Sequence, residues 1–116
     1  MKESDYDVLF NKWIELRNQY DKLKLEKNYR GIIEVSEKII GLSKKAPDIG
    51  IMVAIFEQSI AEAYVKLEDV PSAIIYYKAA KKSFEEYRAT KRLRSPDDYL
   101  SCVEKIQKKL AKLETK

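Results

Sequence analysis

The chain has no histidine, one cysteine, three glycines and three prolines in 116 residues. Without histidine it lacks the commonest general base and metal ligand near neutral pH. Its Ser, Thr and Cys side chains therefore have no imidazole to activate them. A lone Cys102 cannot close an internal disulfide, which favours a reducing, intracellular setting, so a cytoplasmic protein is expected. No apolar run follows Met1-Lys2-Glu3-Ser4-Asp5, and no segment approaches the ~20 apolar residues of a membrane span. Neither a signal peptide nor a membrane anchor is expected. Sparse Gly and Pro beside frequent Lys, Glu, Leu and Ile point to an all-α fold, and the length to one domain, residues 1–116.

Clusters that carry chemistry are also missing. Glu85-Glu86 and Asp97-Asp98 are adjacent in sequence and so do not face each other on a helix. Glu34 and Glu37 read as solvated face residues, and Gly31, Gly41 and Gly50 do not form a phosphate loop. No catalytic, cofactor or metal site is expected, and the chain is not read as an enzyme. Net charge is +4, from 23 basic and 19 acidic residues mixed along the chain. The one clear basic run, with Arg88, Lys91, Arg92 and Arg94, lies at a helix end, where cations answer the helix dipole. A phosphate or acidic-partner contact is its alternative reading. No aromatic is interleaved to stack a base, so nucleic acid stays a minor reading.

What the chain does have is a helical hairpin over residues 49–87. Ile49, Val53, Phe56, Ile60, Ala63 and Leu67 recur in steps of four and three, one stripe of an α-helix. Ile51, Met52, Ala54 and Ile55 nearly close the circle, as expected of a helix with neighbours on several sides. After a break at 67–71, Ala73, Tyr77, Ala80, Phe84 and Tyr87 repeat the spacing. Asp69 can accept bonds from the free amides of a first turn, and Pro71 has no N–H to leave unpaired there. So short a connection makes the two helices antiparallel neighbours.

Ile60-Ala61, Tyr64, Lys66-Leu67, Asp69, Ala73-Ile74, Tyr77 and Ala80 resemble the tetratricopeptide repeat, with its large-small pair and Tyr in the first helix and its Ala, aromatic and Ala in the second. Ala61, Ala73 and Ala80 are small where two helices would approach closely, and Tyr64 and Tyr77 would fill the space between them. Glu68 stands where the repeat commonly has Gly, and Glu85 where it often has Pro. Tyr29-Arg30-Gly31-Ile32-Ile33 looks like a weaker copy of the second-helix entry, with Ile32 in the place of Ala73. That offset exceeds the ~34 residues of the standard repeat. It suggests a longer loop over 41–50, where Pro47 and Asp48 mark a boundary, or extended helices as in SNAP-like and proteasome-lid-type arrays.

Flanking segments complete the pattern. A first helix is expected from Ser4 or Asp5, with Leu9, Trp13, Leu16, Tyr20 and Leu23 on its stripe and Phe10 and Ile14 broadening it. Trp13 reads either as a groove anchor or as a large core or edge residue, and its place on the main stripe favours the second. Glu26-Lys27-Asn28 breaks the chain, and Asn28 would cap a helix carrying Ile32-Ile33, Ser36 and Ile39-Ile40. Ser95-Pro96-Asp97-Asp98 reads as a sharp helix start, followed by Tyr99, Val103, Ile106, Leu110 and Leu113 on one narrow stripe. Such a helix suits the end of a stack, where the core face needs covering.

The expectation is a right-handed α-α superhelix of about five antiparallel helices: two hairpins resembling the repeat, and a C-terminal capping helix. The resemblance implies a groove, lined by the first helix of each repeat, that holds a peptide or helix of another protein. On the central helix this gives Ile55, Gln58, Ser59, Glu62, Val65 and Lys66, and on the first helix Ile14, Arg17, Asn18, Asp21 and Lys24. Some members grip a terminal carboxylate with Lys or Arg and Asn one turn apart. Here Asp21 follows Arg17 and Glu62 follows Gln58, so an acidic tail ligand is disfavoured. An adaptor or scaffold role follows, with self-association as a homodimer the competing class, through stripe residues such as Trp13 or Leu110.

Overall fold

A computed structural model describes the backbone of residues 3–45, 50–90, 95 and 97–115, and side chains from Asp7 onward. It contains five helices: α1 (Glu3–Leu25), α2 (Tyr29–Ser43), α3 (Ile51–Lys66), α4 (Val70–Ala89) and α5 (Leu100–Glu114). Among the described residues there is no strand, and the fold is all-α. Each helix packs mainly on its neighbours in sequence, α1 on α2, α2 on α3, α3 on α4 and α4 on α5. The molecule measures 50 × 36 × 19 Å. Nineteen ångströms is about two helix diameters.

Two of the joints are built alike. At the end of α1 the amide of Lys27 donates to the Lys24 carbonyl (3.2 Å) and that of Asn28 to Leu23 (3.0 Å). At the end of α3 the amide of Glu68 donates to Val65 (3.0 Å) and that of Asp69 to Tyr64 (2.9 Å). Both are Schellman closures, which satisfy carbonyls left over at a helix end. The residue that completes each closure then caps the next helix: Asn28 accepts from the Gly31 amide (2.9 Å) and Asp69 from the Ser72 amide (3.2 Å). Both expected caps are in place. A β-carbon on Gly31 would lie 2.8 Å from Leu23 Cδ2, so α2 starts tight against the end of α1.

The central helix divides the core. Phe56 and Ala63 of α3 join Leu16 and Tyr20 of α1 and Ile32, Val35 and Ile39 of α2 in one buried cluster. Ile51, Ala54 and Ala61 of α3 join Tyr77, Ala80 and Phe84 of α4 and Val103, Ile106 and Leu110 of α5 in the other. This is why the apolar residues of α3 run round the helix while the other helices keep a wet side. Ala61, Ala73 and Ala80 are fully buried, as their size at helix crossings requires. Tyr64 stacks on Tyr76 at 5.6 Å between α3 and α4.

Several expectations are corrected. Helix α5 begins at Leu100 and not within 95–98. The Ser95 hydroxyl does accept from the Asp97 amide (3.4 Å), but the amides of Asp98 and Leu100 close turns onto Ser95 and Asp97. Tyr99 then takes a left-handed conformation, φ 63°, which breaks any helix begun earlier. On α1, Phe10 and Ile14 do not widen the core stripe, since both are exposed beside Val8. Trp13 is half-buried against the α1–α3 cluster, the core or edge reading. Residues 46–49, with Pro47, Asp48 and Ile49, where part of a longer loop was expected, and residues 91–94 of the basic run lie outside the described residues.

Candidate partner-binding face

Helices α1, α3 and α5 alternate with α2 and α4, and their C-terminal halves enclose two adjoining hollows. The first, about 280 Å³, is lined by Tyr20, Lys24 and Lys27 from the end of α1, by Tyr29 and Ile32 of α2, and by Ser59, Glu62, Ala63 and Lys66 of α3. The second, about 300 Å³, is lined by Glu62, Val65 and Lys66 of α3, Tyr77 of α4, and Lys109, Lys112 and Leu113 of α5. Glu62 and Lys66 belong to both, so the hollows form one continuous face across α3. Each is at the lower limit of small-molecule pockets, ~300–1,000 Å³. Their size suits a few side chains of a larger partner.

Rings form the floor and cations the rim. The Tyr20 ring meets Phe56 edge-on at 5.0 Å, and its hydroxyl is 3.0 Å from the Ser59 hydroxyl, which ties α1 to α3. Lys24 Nζ lies 5.9 Å from the Tyr20 ring centre, and the Arg17 guanidinium 5.8 Å from it and 5.5 Å from that of Phe56. Arg17 also pairs with Asp21 at 3.6 Å. Across α3, Lys109 Nζ is 3.7 Å from a Glu62 carboxylate oxygen and 5.6 Å from the Tyr77 ring centre. Burial, with Glu62 nearby, pushes the Tyr77 phenol up to about 12.

Five of the residues expected from sequence, Lys24, Ser59, Glu62, Val65 and Lys66, line these hollows. Arg17 and Asp21 sit beside the first as an ion pair. The other expected positions do not meet there. Ile55 is half-buried against both core clusters, Gln58 is half-buried outside the hollows, and Ile14 and Asn18 face solvent on α1. Sequence reasoning missed Lys109, Lys112 and Leu113, because α5 was read as a cap when it also extends the layer of α1 and α3, and it missed Lys27, which was read only as part of the break after α1. The pair Lys109 and Lys112, three residues apart and flanking the Leu110 and Leu113 stripe, was the available signal.

The opposite face differs. A hollow of about 530 Å³ there is lined by Lys44, Gly50, Val53, Glu57, Lys82, Ser83 and Glu86, among others. Ser83 donates its hydroxyl proton to Glu57, and burial raises the Glu57 carboxyl above its usual range against the lowering effects of Ser83 and Lys44. Of the basic run, Arg88 donates from Nη1 to the Asp98 carbonyl at 2.7 Å, so it ties α4 to the joint before α5. Among the described residues no group of three or more Cys, Asp or Glu is placed to hold a metal ion, and no helix is long and apolar enough to cross a membrane. Compared with family models, curated proteins and solved structures, the chain matches none of them.

Proposed function

We propose that this chain is a non-enzymatic protein-interaction module resembling the tetratricopeptide repeat, working in a reducing cytoplasm, whose α1/α3/α5 face receives a segment of a partner protein. The observation that carries this reading is the pair of adjoining hollows joined through Glu62 and Lys66. Three alternate helices of the stack, α1, α3 and α5, contribute to one surface, and both hollows have an apolar floor. Buried apolar floors with polar rims are the anatomy of interaction surfaces.

A photo-reactive residue placed at Ser59 or Lys66, in the native cell, tests it. One discrete protein adduct is expected from both positions and none from Lys38, which is exposed on α2. Equal labelling from all three positions, or none from the two on the face, would rule the reading out.

Self-association is a second reading, favoured by one observation. Val8 (65% exposed), Phe10 (49%) and Ile14 (38%) lie on the first helix, beside a half-buried Trp13 whose indole N–H is buried without a partner among the described residues. Light scattering over a concentration series decides it, since a monomer at every concentration removes the dimer.

A further inference from the structure

We infer that the segment received by the α1/α3/α5 face is acidic and amphipathic, with carboxylate side chains meeting a rim of lysines and apolar side chains meeting the floor. This rests on the groove reading above and adds the chemistry of the occupant. Five lysines, Lys24, Lys27, Lys66, Lys109 and Lys112, line the two hollows against one carboxylate, Glu62. The excess of four equals the whole net charge of the chain, so all its other side chains together are neutral.

That excess is not consumed locally. Glu62 is taken up by Lys109, and Asp21, at the edge, by Arg17. Lys24, Lys27, Lys66 and Lys112 have no ion-pair partner among the described residues. The other hollows carry little or no excess. One sets Lys44 and Lys82 against Glu57 and Glu86, and the one between α4 and α5 sets Lys78, Lys81 and Lys82 against Glu85 and Glu114, with Lys78 paired to Glu114 and Lys81 to Glu85. Lysines in the last turns of α1, α3 and α5 also answer the helix dipoles. Three helix ends carry about −0.5 charge each, less than half of the excess.

The floor selects protein over nucleic acid. Tyr20 and Tyr77 are buried, at 8% and 2% exposure, and lysines lie over their rings. Neither of these two ring faces is open for a base to stack on. Ile32, Ala63, Val65 and Leu113 offer apolar contacts that a sugar-phosphate backbone cannot use. A clamp on a single terminal carboxylate is a different device, and the Arg17–Asp21 pair still argues against it. Lysines spread along the face would read side-chain carboxylates at several points.

The test is fluorescence anisotropy with a synthetic amphipathic helical peptide carrying Glu on one face and Leu on the other, beside its Glu→Gln twin and a single-stranded oligonucleotide. The Glu peptide should bind about tenfold or more tighter than the twin at low salt and lose that margin as exposed charges are screened. Lys66→Glu with Lys112→Glu should abolish the margin, as should Lys24→Glu with Lys27→Glu in a second variant. Lys105→Glu with Lys108→Glu, the same charge change on exposed positions outside the hollows, should leave it within about twofold. Equal binding of the two peptides, equal loss in the Lys105/Lys108 variant, or tighter binding of the oligonucleotide would overturn the inference. If Ser59 and Lys66 cross-link a partner while the two peptides bind alike, the acidic occupant falls and the groove stands. If cross-linking and peptide binding both fail, both fall.

Discussion

Lys27 and Glu68 hold the same left-handed backbone, φ 56° and 62°, at equivalent places forty-one residues apart. Each is the residue after a helix C-cap, where glycine is the usual occupant because a β-carbon crowds the carbonyl. The conformation costs a non-glycine residue roughly 1 kcal/mol, and glycine's extra freedom in the unfolded chain returns part of that gain. Glu68→Gly should therefore raise stability by about 0.5 kcal/mol. Lys27→Gly should do the same, and the two should add because the joints share no partner. Urea midpoints of the single and double variants check this, and a fall in either single variant would contradict the assignment of these joints.

Ser36 is fully buried with its hydroxyl unpartnered among the described residues, while Ser43, two turns further along α2 and also buried, donates to the Ile39 carbonyl at 2.8 Å. A buried hydroxyl without a partner keeps its desolvation cost and gives nothing back. Ser36→Ala should stabilise by up to about 1 kcal/mol, and Ser43→Ala should be neutral or costly. Thermal melts of the two variants should move apart. A destabilised Ser36→Ala would mean that its hydroxyl is bonded in solution.

The same positions explain what the sequence could and could not reveal. Ser36 and Ser43 on α2 correspond, by the offset of the joints, to Tyr77 and Phe84 on α4, while Tyr20 on α1 corresponds to Ala61 on α3. In the second hairpin the bulk comes from the later helix, and in the first part of it has moved to the earlier one. A motif keyed to residue type finds the second hairpin and only a trace of the first, although their backbones close alike. Helix spacing and the caps at Asn28 and Asp69 were legible because they depend on neighbours in the chain. The shared face was half legible. Lys24, Ser59, Glu62 and Lys66 follow from helix phase, but Tyr77, Lys109 and Lys112 reach it only through the packing of α4 and α5.

Glu57 supplies a pH test. Burial is the largest cause of its raised pKa, so the folded chain holds that proton more tightly than the unfolded chain. Between the unfolded value, near 4.5, and the raised folded value, stability must fall as pH rises, because the folded state carries more protons there. Glu57→Gln keeps a partner for Ser83 and removes the ionisation. The variant should exceed the parent in stability at neutral pH and converge with it below the unfolded pKa. Guanidinium unfolding at several pH values reads the difference, and a constant offset would sink the prediction.

Tyr99 is where local pattern and tertiary packing disagree most. The Ser-Pro-Asp-Asp run suits a helix start, yet the helix waits until Leu100 because Tyr99 is held left-handed. Its ring stacks on Phe84 at 5.9 Å and meets Tyr87 edge-on at 5.7 Å, while Arg88 holds the Asp98 carbonyl. Ring packing against α4 thus outweighs the backbone strain, roughly 1 kcal/mol, and fixes the angle at which α5 closes the stack. Tyr99→Gly relieves the strain but deletes the half-buried ring, whose loss costs more, about 2–3 kcal/mol. Net destabilisation of about 1–2 kcal/mol is expected. Amide exchange should show it first in α5, ahead of α2 and α3. A Tyr99→Gly chain as stable as the parent would mean that backbone geometry, and not the packing of the three rings, sets the last joint.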